Sequence, residues 1–522
     1  MEPSSRFARY LRFRSVLDDP FVELDLSHSA LTEASVATLQ PQLQAALDAM
    51  AALEQGGVAN PDEGRMVGHF WLRAPGLAPD DAVGEQIRAA VEDVEQFAAA
   101  AHSGAVAPPE GGRFNKVVLC GIGGSALGPM LLADALASPS SPMSLTVLDN
   151  TDPDGIDAAL ERVGSLQDAL VVVISKSGGT PETRNGMLEV QRALEREGLS
   201  LGPRAVAITT DGSKLHARAV DERWLQTFPM WDWVGGRTSV TSAVGLVPGA
   251  LIGMDVRGFL AGAAAMDDAT RRRDVFANPA AMLACFWHHE GSGAGDRAMA
   301  VLPYKDRLLL LSRYLQQLVM ESLGKQLDRQ GREVHQGLTV YGNKGSTDQH
   351  AFVQQLRDGR HDFFATFVRV LADRAGPHFE VEPGVTTGDY LDGFWQGTRR
   401  ALRESGRSSA TICVDRVDAR VLGALVALFE RTVAIYAELI DTNAFHQPGV
   451  EAGKRAAADV LALQEKLLGA LGSDGKDVAA LAAEVDADPA DCWPILLHLA
   501  VNRGDIRCAR REAPSEATFC RV

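Results

Sequence analysis

Four short runs of aliphatic residues, "KVVLC" (116–120), "LTVLD" (145–149), "LVVVIS" (170–175) and "AVAITT" (205–210), alternate with stretches whose apolar positions recur at helical spacing. Near-continuous Val/Ile/Leu strands joined by helices leave few options, because such strands are stable only when both faces of a parallel sheet are covered. The intervening "MLLADAL", "GIDAALERV" and "PETRNGMLEVQRALERE" read as those covering helices. A second unit of the same kind is predicted from about Asp296, with "MAVLP" and "FFATFVRVL" as strands and one long helix through "RLLLLSRYLQQLVMESLGKQLDRQG". Between the two units, "GFLAGAAAMDDATRRR" and "NPAAMLACFWHHEG" read as helices.

The expected architecture is therefore α/β: two doubly wound parallel-sheet domains, over 111–270 and 271–443, with a helical N-terminal segment (1–110) and a helical C-terminal segment (444–522). In the first segment, "TEASVATLQPQLQAALDAMAALEQG" and "AVGEQIRAAVEDVEQFAAAAHSG" carry helical spacing around the breaker-rich "APGLAPDD". In the last, "VAALAAEVDADPADCWPILLHLAVNRG" reads as a small helix-turn-helix used for packing. At 522 residues the chain is long enough for cores that need neither disulfide nor metal. Its six cysteines include no CxxC pair, which fits reduced thiols and no structural zinc. A net charge of −17 disfavours nucleic acid and acidic lipid surfaces. No stretch reaches the eighteen or so apolar residues of a membrane span and no export signal is legible, so the cytoplasm is the expected compartment.

The strand "KVVLC" runs into "GIGGSALGP", three glycines in four residues followed by an apolar helix. Glycine allows close backbone approach, and the helix start supplies unpaired N–H groups, so this is an anion seat. The dinucleotide fingerprint also fits, with Gly121, Gly123 and Ala126, and Asp149 as the ribose acid. The third strand argues against it. It ends in Ser175, Lys176, Ser177, Gly178, Gly179 and Thr180 before Pro181, which places Thr180 at a helix N-cap and Pro181 in the first turn. Three hydroxyls, free amides and a lysine match a phosphate monoester, and a dinucleotide needs no such second loop.

Further along, Gln317 and Glu321 lie four apart on one expected helix face, although Glu321 could equally pair with Lys325. Arg237 follows two glycines in "VGGRTS", His350 sits in the Gly/Ser/Thr-rich "YGNKGSTDQHAF", and Gln447 and Lys454 are seven apart in "HQPGVEAGK". Each alone is equally compatible with a surface role.

Taken together, "GIGGSALGP", "ISKSGGTPET", "VGGRTS", "MESLGK", "DQHAFVQQLRDG" and "HQPGVEAGK", in this order from Gly121 to Lys454, resemble the phosphoglucose isomerase family, and "NPDEGRMVGHFWLR" resembles its N-terminal segment. The resemblance implies two sugar-isomerase domains, a homodimer with active sites at the subunit interface, no cofactor and no metal. It implies Glu321 as the base that moves a proton between C2 and C1, Arg237 as stabiliser of the enediolate, and His350 and Lys454 as the groups that open the sugar ring. Ser175, Lys176, Ser177 and Thr180 would hold the phosphate. Gly124 and Ser125 would meet the sugar hydroxyls or the edge of the phosphate, and Gly236, Gln317 and Gln447 would line the sugar. Thr238 stands where many members carry an aromatic residue, and His446 and Pro448 flank Gln447 unusually. These departures leave open a dual phosphoglucose/phosphomannose isomerase. A non-catalytic sugar-phosphate-binding protein would lack the Glu/His/Lys/Arg set.

Overall fold

The computed structural model describes residues 3–60 and 64–522, without the side chains at 3, 4, 60, 448 and 450–455. Residues 61–63 of the "NPDEG" stretch lie outside the described residues. Two compact units are present, Met1–His446 and Gln447–Val522.

Among its described residues the first unit holds two large sheets beside three two-stranded ribbons. In one, five parallel strands lie in the spatial order Ser144–Leu148, Lys116–Cys120, Ala169–Ile174, Ala205–Thr209, Gln226–Pro229. Alternation along each strand sends side chains to two separate cores, as period-two geometry requires. Val117, Leu119, Leu170, Val172, Ile174, Val206 and Ile208 pack on one side. Val118, Cys120, Val171, Val173, Ala205 and Ala207 pack on the other, against Met187, Val190 and Leu194 of the helix Pro181–Arg196. Each fully buried aliphatic side chain contributes roughly 1.5–3 kcal/mol, so the wholly buried Ala169–Ile174 strand is the spine of this layer.

The other sheet is mixed. Val340–Tyr341, Ala298–Pro303, Phe363–Val370 and Ser409–Val414 run parallel, and the hairpin Arg14–Asp18/Phe21–Asp25 adds two antiparallel strands at its edge. This corrects the all-helical reading of the N-terminal segment. Within this hairpin, Val22–Asp25 pair with Thr411–Val414, a partner hundreds of positions away that short-range spacing cannot reveal. The helices Glu33–Glu54 and Asp81–Ser103 form as expected, the former opened by a reciprocal Thr32/Ser35 capping box and the latter by Asp80 accepting from the Val83 amide.

The long helix expected over 307–331 is also corrected. It runs from Leu311 to Leu323, widens into a π-helical turn over Gln316–Glu321, and stops at Gly324. Lys325–Leu327 then pairs with Glu333–Gln336 as a small antiparallel ribbon. In the second unit the helices Pro448–Ala470, Val478–Val485 and Pro489–Asn502 accompany a three-stranded antiparallel sheet of Lys476–Asp477, Thr518–Arg521 and Ile506–Ala509. The tail is therefore only partly helical. Among the described residues no helix is long and apolar enough to cross a membrane.

The first unit also contains a buried charge cluster. Asp267 accepts from Arg73 (Nε at 2.5 Å, Nη2 at 2.9 Å) and from Arg431 Nε at 2.7 Å. Arg73 also donates to Glu430 at 2.5 Å, and Arg431 to Glu54. Burial alone would raise the Asp267 pKa, but the Arg431 and Arg73 guanidiniums outweigh it and take it down to about 2. Removing Asp267 leaves two cations poorly compensated in the core. Asp267→Ala is therefore expected to lower stability by about 3–5 kcal/mol, read as a fall in the denaturation midpoint.

Candidate active site

In the five-stranded sheet the strand order reverses between Lys116–Cys120 and Ala169–Ile174, because the second strand in sequence lies outside the first and the third lies inside it. Loops at the carboxyl ends of those two strands bound the crevice where doubly wound sheets bind ligands. They are 121–125 and 175–180, the glycine- and serine-rich loops of the sequence.

Gly123 adopts φ +57°, and the next helix starts at Gly124, earlier than the apolar "MLLADAL" indicates. The tightest constraint is at Gly124 itself. A Cβ there would lie 2.1 Å from the carbonyl oxygen of Gly236, so backbone packs on backbone with no room for a methyl group. Ser239 fastens the same junction, with its Oγ 2.7 Å from the Gly236 carbonyl oxygen and 3.4 Å from that of Gly124. Gln317 closes the loop from the other side, its Nε2 3.1 Å from where a Cβ of Gly123 would stand. Ser125 occupies the first helical turn beside them, its amide bonded to the Ile122 carbonyl.

The short turn Gly236–Thr238 carries Arg237, whose side chain is only 6% exposed. Its Nη2 donates to the carbonyls of Ala444 (2.7 Å) and His446 (3.4 Å), while Nη1 stands 3.5 Å from Glu321 Oε1. Arg237 and Glu321 thus form an ion pair with a gap slightly too wide for a good hydrogen bond. The other oxygen of Glu321, Oε2, is buried and has no hydrogen-bond partner among the described residues. Glu290 and Glu430 also leave a buried carboxylate oxygen unpartnered among the described residues, and Glu321 is distinguished from them by its place beside Arg237 and the glycine loop. The π-helical turn that carries both Gln317 and Glu321 is itself a feature that recurs at functional sites.

In the sequence Lys325 reads as a plain partner for Glu321, and the structure gives it a different position. Past the end of the helix, it is 4% exposed and its Nζ donates to the Glu321 backbone carbonyl at 2.8 Å, not to the carboxylate. Burial first, and the nearby Arg237 second, lower its pKa from 10.5 to about 7, with Glu321 opposing. A buried lysine behind an Arg/Glu pair escapes sequence reasoning because its neighbours are brought together only by the fold. The one legible signal is a lysine directly after the helix-ending glycine.

The second loop is internally bonded. Ser175 is 4% exposed, and its Oγ donates to Thr180 Oγ1 (3.2 Å) while accepting from the Gly178 amide (3.1 Å). Ser177 Oγ accepts from the Gly179 amide at 3.2 Å and lies exposed at the rim. Thr180 stands at the N-cap with extended backbone, yet its hydroxyl caps no helix amide, contrary to the capping expectation; the serine takes that oxygen instead. Lys176 reaches across to the carbonyls of Asp232 (2.9 Å) and Val234 (3.1 Å), tying this loop to the strand exit that leads into Gly235–Arg237. Beside it, Ser175 and Thr180 help line a cavity of about 210 Å³ into which Arg184, Lys214 and Arg218 bring positive charge.

Gly124, Gly236, Arg237, Gln317 and Glu321 are thus assembled in one place, and Lys176 links the Ser175–Thr180 loop to it. His350 is not part of that cluster. It is exposed at the end of the single turn Thr347–His350, where the buried Asp348 carboxylate gathers the amides of Asn343 and Lys344. Gln447 sits at the N-cap of Pro448–Ala470 in the second unit, and the Lys454 side chain lies outside the described residues. Among the described residues, no three or more His, Cys, Asp or Glu side chains are grouped as a metal site would need.

Fold and crevice together define a two-sheet α/β protein of the sugar-isomerase type. A family model described as "Phosphoglucose isomerase" matches residues 25–378 and 400–471, and the chain belongs to that family. The glucose-6-phosphate isomerase of Geobacter sp. (strain M21) is 55% identical over 501 residues, 94% of this chain and 94% of its own. That of Synechococcus elongatus is 53% identical over 496 residues, again 94% of each. Among solved structures, a glucose-6-phosphate isomerase from Chlamydia trachomatis superposes with TM-score 0.80 at 26% identity, over 88% of this chain and 91% of that one.

The geometry yields two expectations. Gly124→Ala must push the first loop off Gly236, so turnover should fall at least about tenfold while circular dichroism remains that of a folded chain. For Lys325, the folded chain holds fewer protons than the unfolded chain between pH 7 and 10.5, so this group makes stability rise with pH across that window. Lys325→Met should flatten that rise, measured as the difference between variant and wild-type denaturation midpoints at about pH 7 and pH 10.

Proposed function

We propose that this chain interconverts glucose 6-phosphate and fructose 6-phosphate, the isomerisation shared by glycolysis and gluconeogenesis, through an enediolate. One observation carries the proposal: the Arg237–Glu321 pair stands beside the first switch-point loop, to which the Arg237 turn is packed at Gly124, with Glu321 Oε2 buried and unpartnered among the described residues.

The substrate phosphate is held by the hydroxyls and amides of Ser175, Ser177 and Thr180, with Lys176 and Ser125 supplying further donors. A dianion with three terminal oxygens needs such a ring of donors. Binding energy from this remote group fixes C1 and C2 against the base. In the open-chain aldose, Glu321 removes the proton on C2. Electrons from that bond form the C1–C2 double bond, and the former aldehyde oxygen becomes an oxyanion. The C2 hydroxyl proton passes to the C1 oxyanion, and as Glu321 returns its proton to C1 the electrons on the C2 oxygen form the ketone carbonyl, leaving a hydroxyl on C1. Arg237 remains cationic throughout and, only 6% exposed, offsets the oxyanion in a poorly hydrated setting where a fixed charge acts strongly.

Ring opening requires a proton taken from the C1 hydroxyl and one delivered to the ring oxygen. Lys454 and His350 fill these roles, with Gly124, Gly236, Gln317 and Gln447 against the sugar hydroxyls. His350 is exposed on its own chain, which favours a homodimer in which the imidazole is supplied as His350 of the partner subunit. The enzyme acts in the cytoplasm.

The test is Glu321→Gln in a coupled assay of fructose 6-phosphate conversion. The amide keeps the shape of the side chain but removes the base, so turnover should drop by about 10³ or more with sugar-phosphate binding retained. Near-normal turnover would remove Glu321 from its role.

A further inference from the structure

Away from the crevice, the N-terminal helix Pro3–Arg12 and the helix Thr387–Glu404 face each other across a groove of about 960 Å³. Arg6, Arg399, Arg400 and Arg403 line it, together with Tyr10 and His28. Arg399 and Arg403 are one helical turn apart on the same face. Like charges at that spacing repel, and Arg6 adds a third from the opposite wall. The negative groups at hand are already engaged. Asp25 pairs with Arg399 and accepts from the Ser27 amide, and Glu404 pairs with Arg400. Neither the Arg6 nor the Arg403 guanidinium has a hydrogen-bond or ion-pair partner among the described residues, and the buried Nε of Arg399 is likewise unsatisfied.

Neighbouring groups register the resulting field. Burial lowers the Arg403 pKa, and Arg6 and Arg399 lower it further; His28 is taken down to about 4 by burial, with Arg399 next, and Asp25 opposes the shift at both. In a chain of net charge −17, a groove lined by four arginines and two occupied carboxylates is an uncompensated concentration of the minority charge.

We propose that this groove is a second anion site, distinct from the catalytic crevice, that binds a small molecule bearing a chain of two or three phosphates. Guanidinium forks suit phosphate oxygens, and Arg399 and Arg403 are set about 6 Å apart along the helix axis, a spacing that several linked phosphates bridge better than one. Aromatic surface is also at hand: Phe7 lines the groove, 62% exposed, and stacks on Tyr10 at 6.0 Å. A nucleoside polyphosphate would use both features and bare polyphosphate only the first.

The experiment is calorimetric titration of the full chain with inorganic tripolyphosphate and, separately, with adenosine triphosphate, both without divalent metal. The expected result is saturable binding that weakens at least about tenfold in Arg403→Ala and in Arg6→Ala and persists in Lys176→Ala, which perturbs only the catalytic loop. Both arginine variants should retain the wild-type isomerase rate, which certifies their fold. Tighter binding of adenosine triphosphate assigns the aromatic wall to a base, and equal binding assigns the site to the phosphate chain alone. Absence of binding for both anions, or binding that survives Arg403→Ala and Arg6→Ala, would overturn the proposal.

Discussion

One steric constraint, the packing of the Gly124 backbone against the Gly236 carbonyl, joins the two halves of the crevice. The first loop belongs to a strand-to-helix junction of the five-stranded sheet, and Gly236 opens the turn that carries Arg237. With 2.1 Å between a notional Cβ and that oxygen, the junction tolerates only glycine. Arg237 then inherits its position from the sheet. Its two carbonyl contacts and its approach to Glu321 depend on where that turn is held.

Electrostatics in the first unit separates into two layers with different tasks. The cluster of Arg73, Asp267, Arg431, Glu430 and Glu54 pairs its cations and carboxylates within the core, leaving Glu430 Oε1 buried and without a hydrogen-bond partner among the described residues. The crevice is arranged otherwise. Arg237 sits between Glu321 and two carbonyls, one carboxylate oxygen of Glu321 has no partner among the described residues, and Lys325 holds a further basic group against the Glu321 backbone. Each network leaves a carboxylate oxygen open; the crevice differs in that its open oxygen belongs to the partner of Arg237, whose turn packs against the glycine loop at Gly124.

The five-stranded sheet is legible in the sequence because its strands are continuous aliphatic runs, and the glycine and serine loops because turn chemistry is local. The same locality explains the losses. Residues 14–25 form a hairpin whose place is set by pairing with Ser409–Val414, and nothing near them in sequence announces that partner. Gly324 ends the long helix, yet the leucines on both sides keep helical spacing, so the pattern runs on past it. Within the site, Arg237, Gln317 and Glu321 can be named from their motifs, but their convergence cannot. Lys325 escapes because only burial distinguishes it from a surface lysine.

The π-helical turn at Gln316–Glu321 has a consequence for how this protein can change. Such a turn accommodates an extra residue relative to a regular helix, so any alteration that relaxed it to ordinary winding would rotate the residues beyond it by about 100°. The Glu321 carboxylate would swing away from Arg237 although the chain kept every side chain it needs. Gains in helix regularity here would be losses in aim, so a less comfortable backbone is the condition under which this carboxylate faces inward.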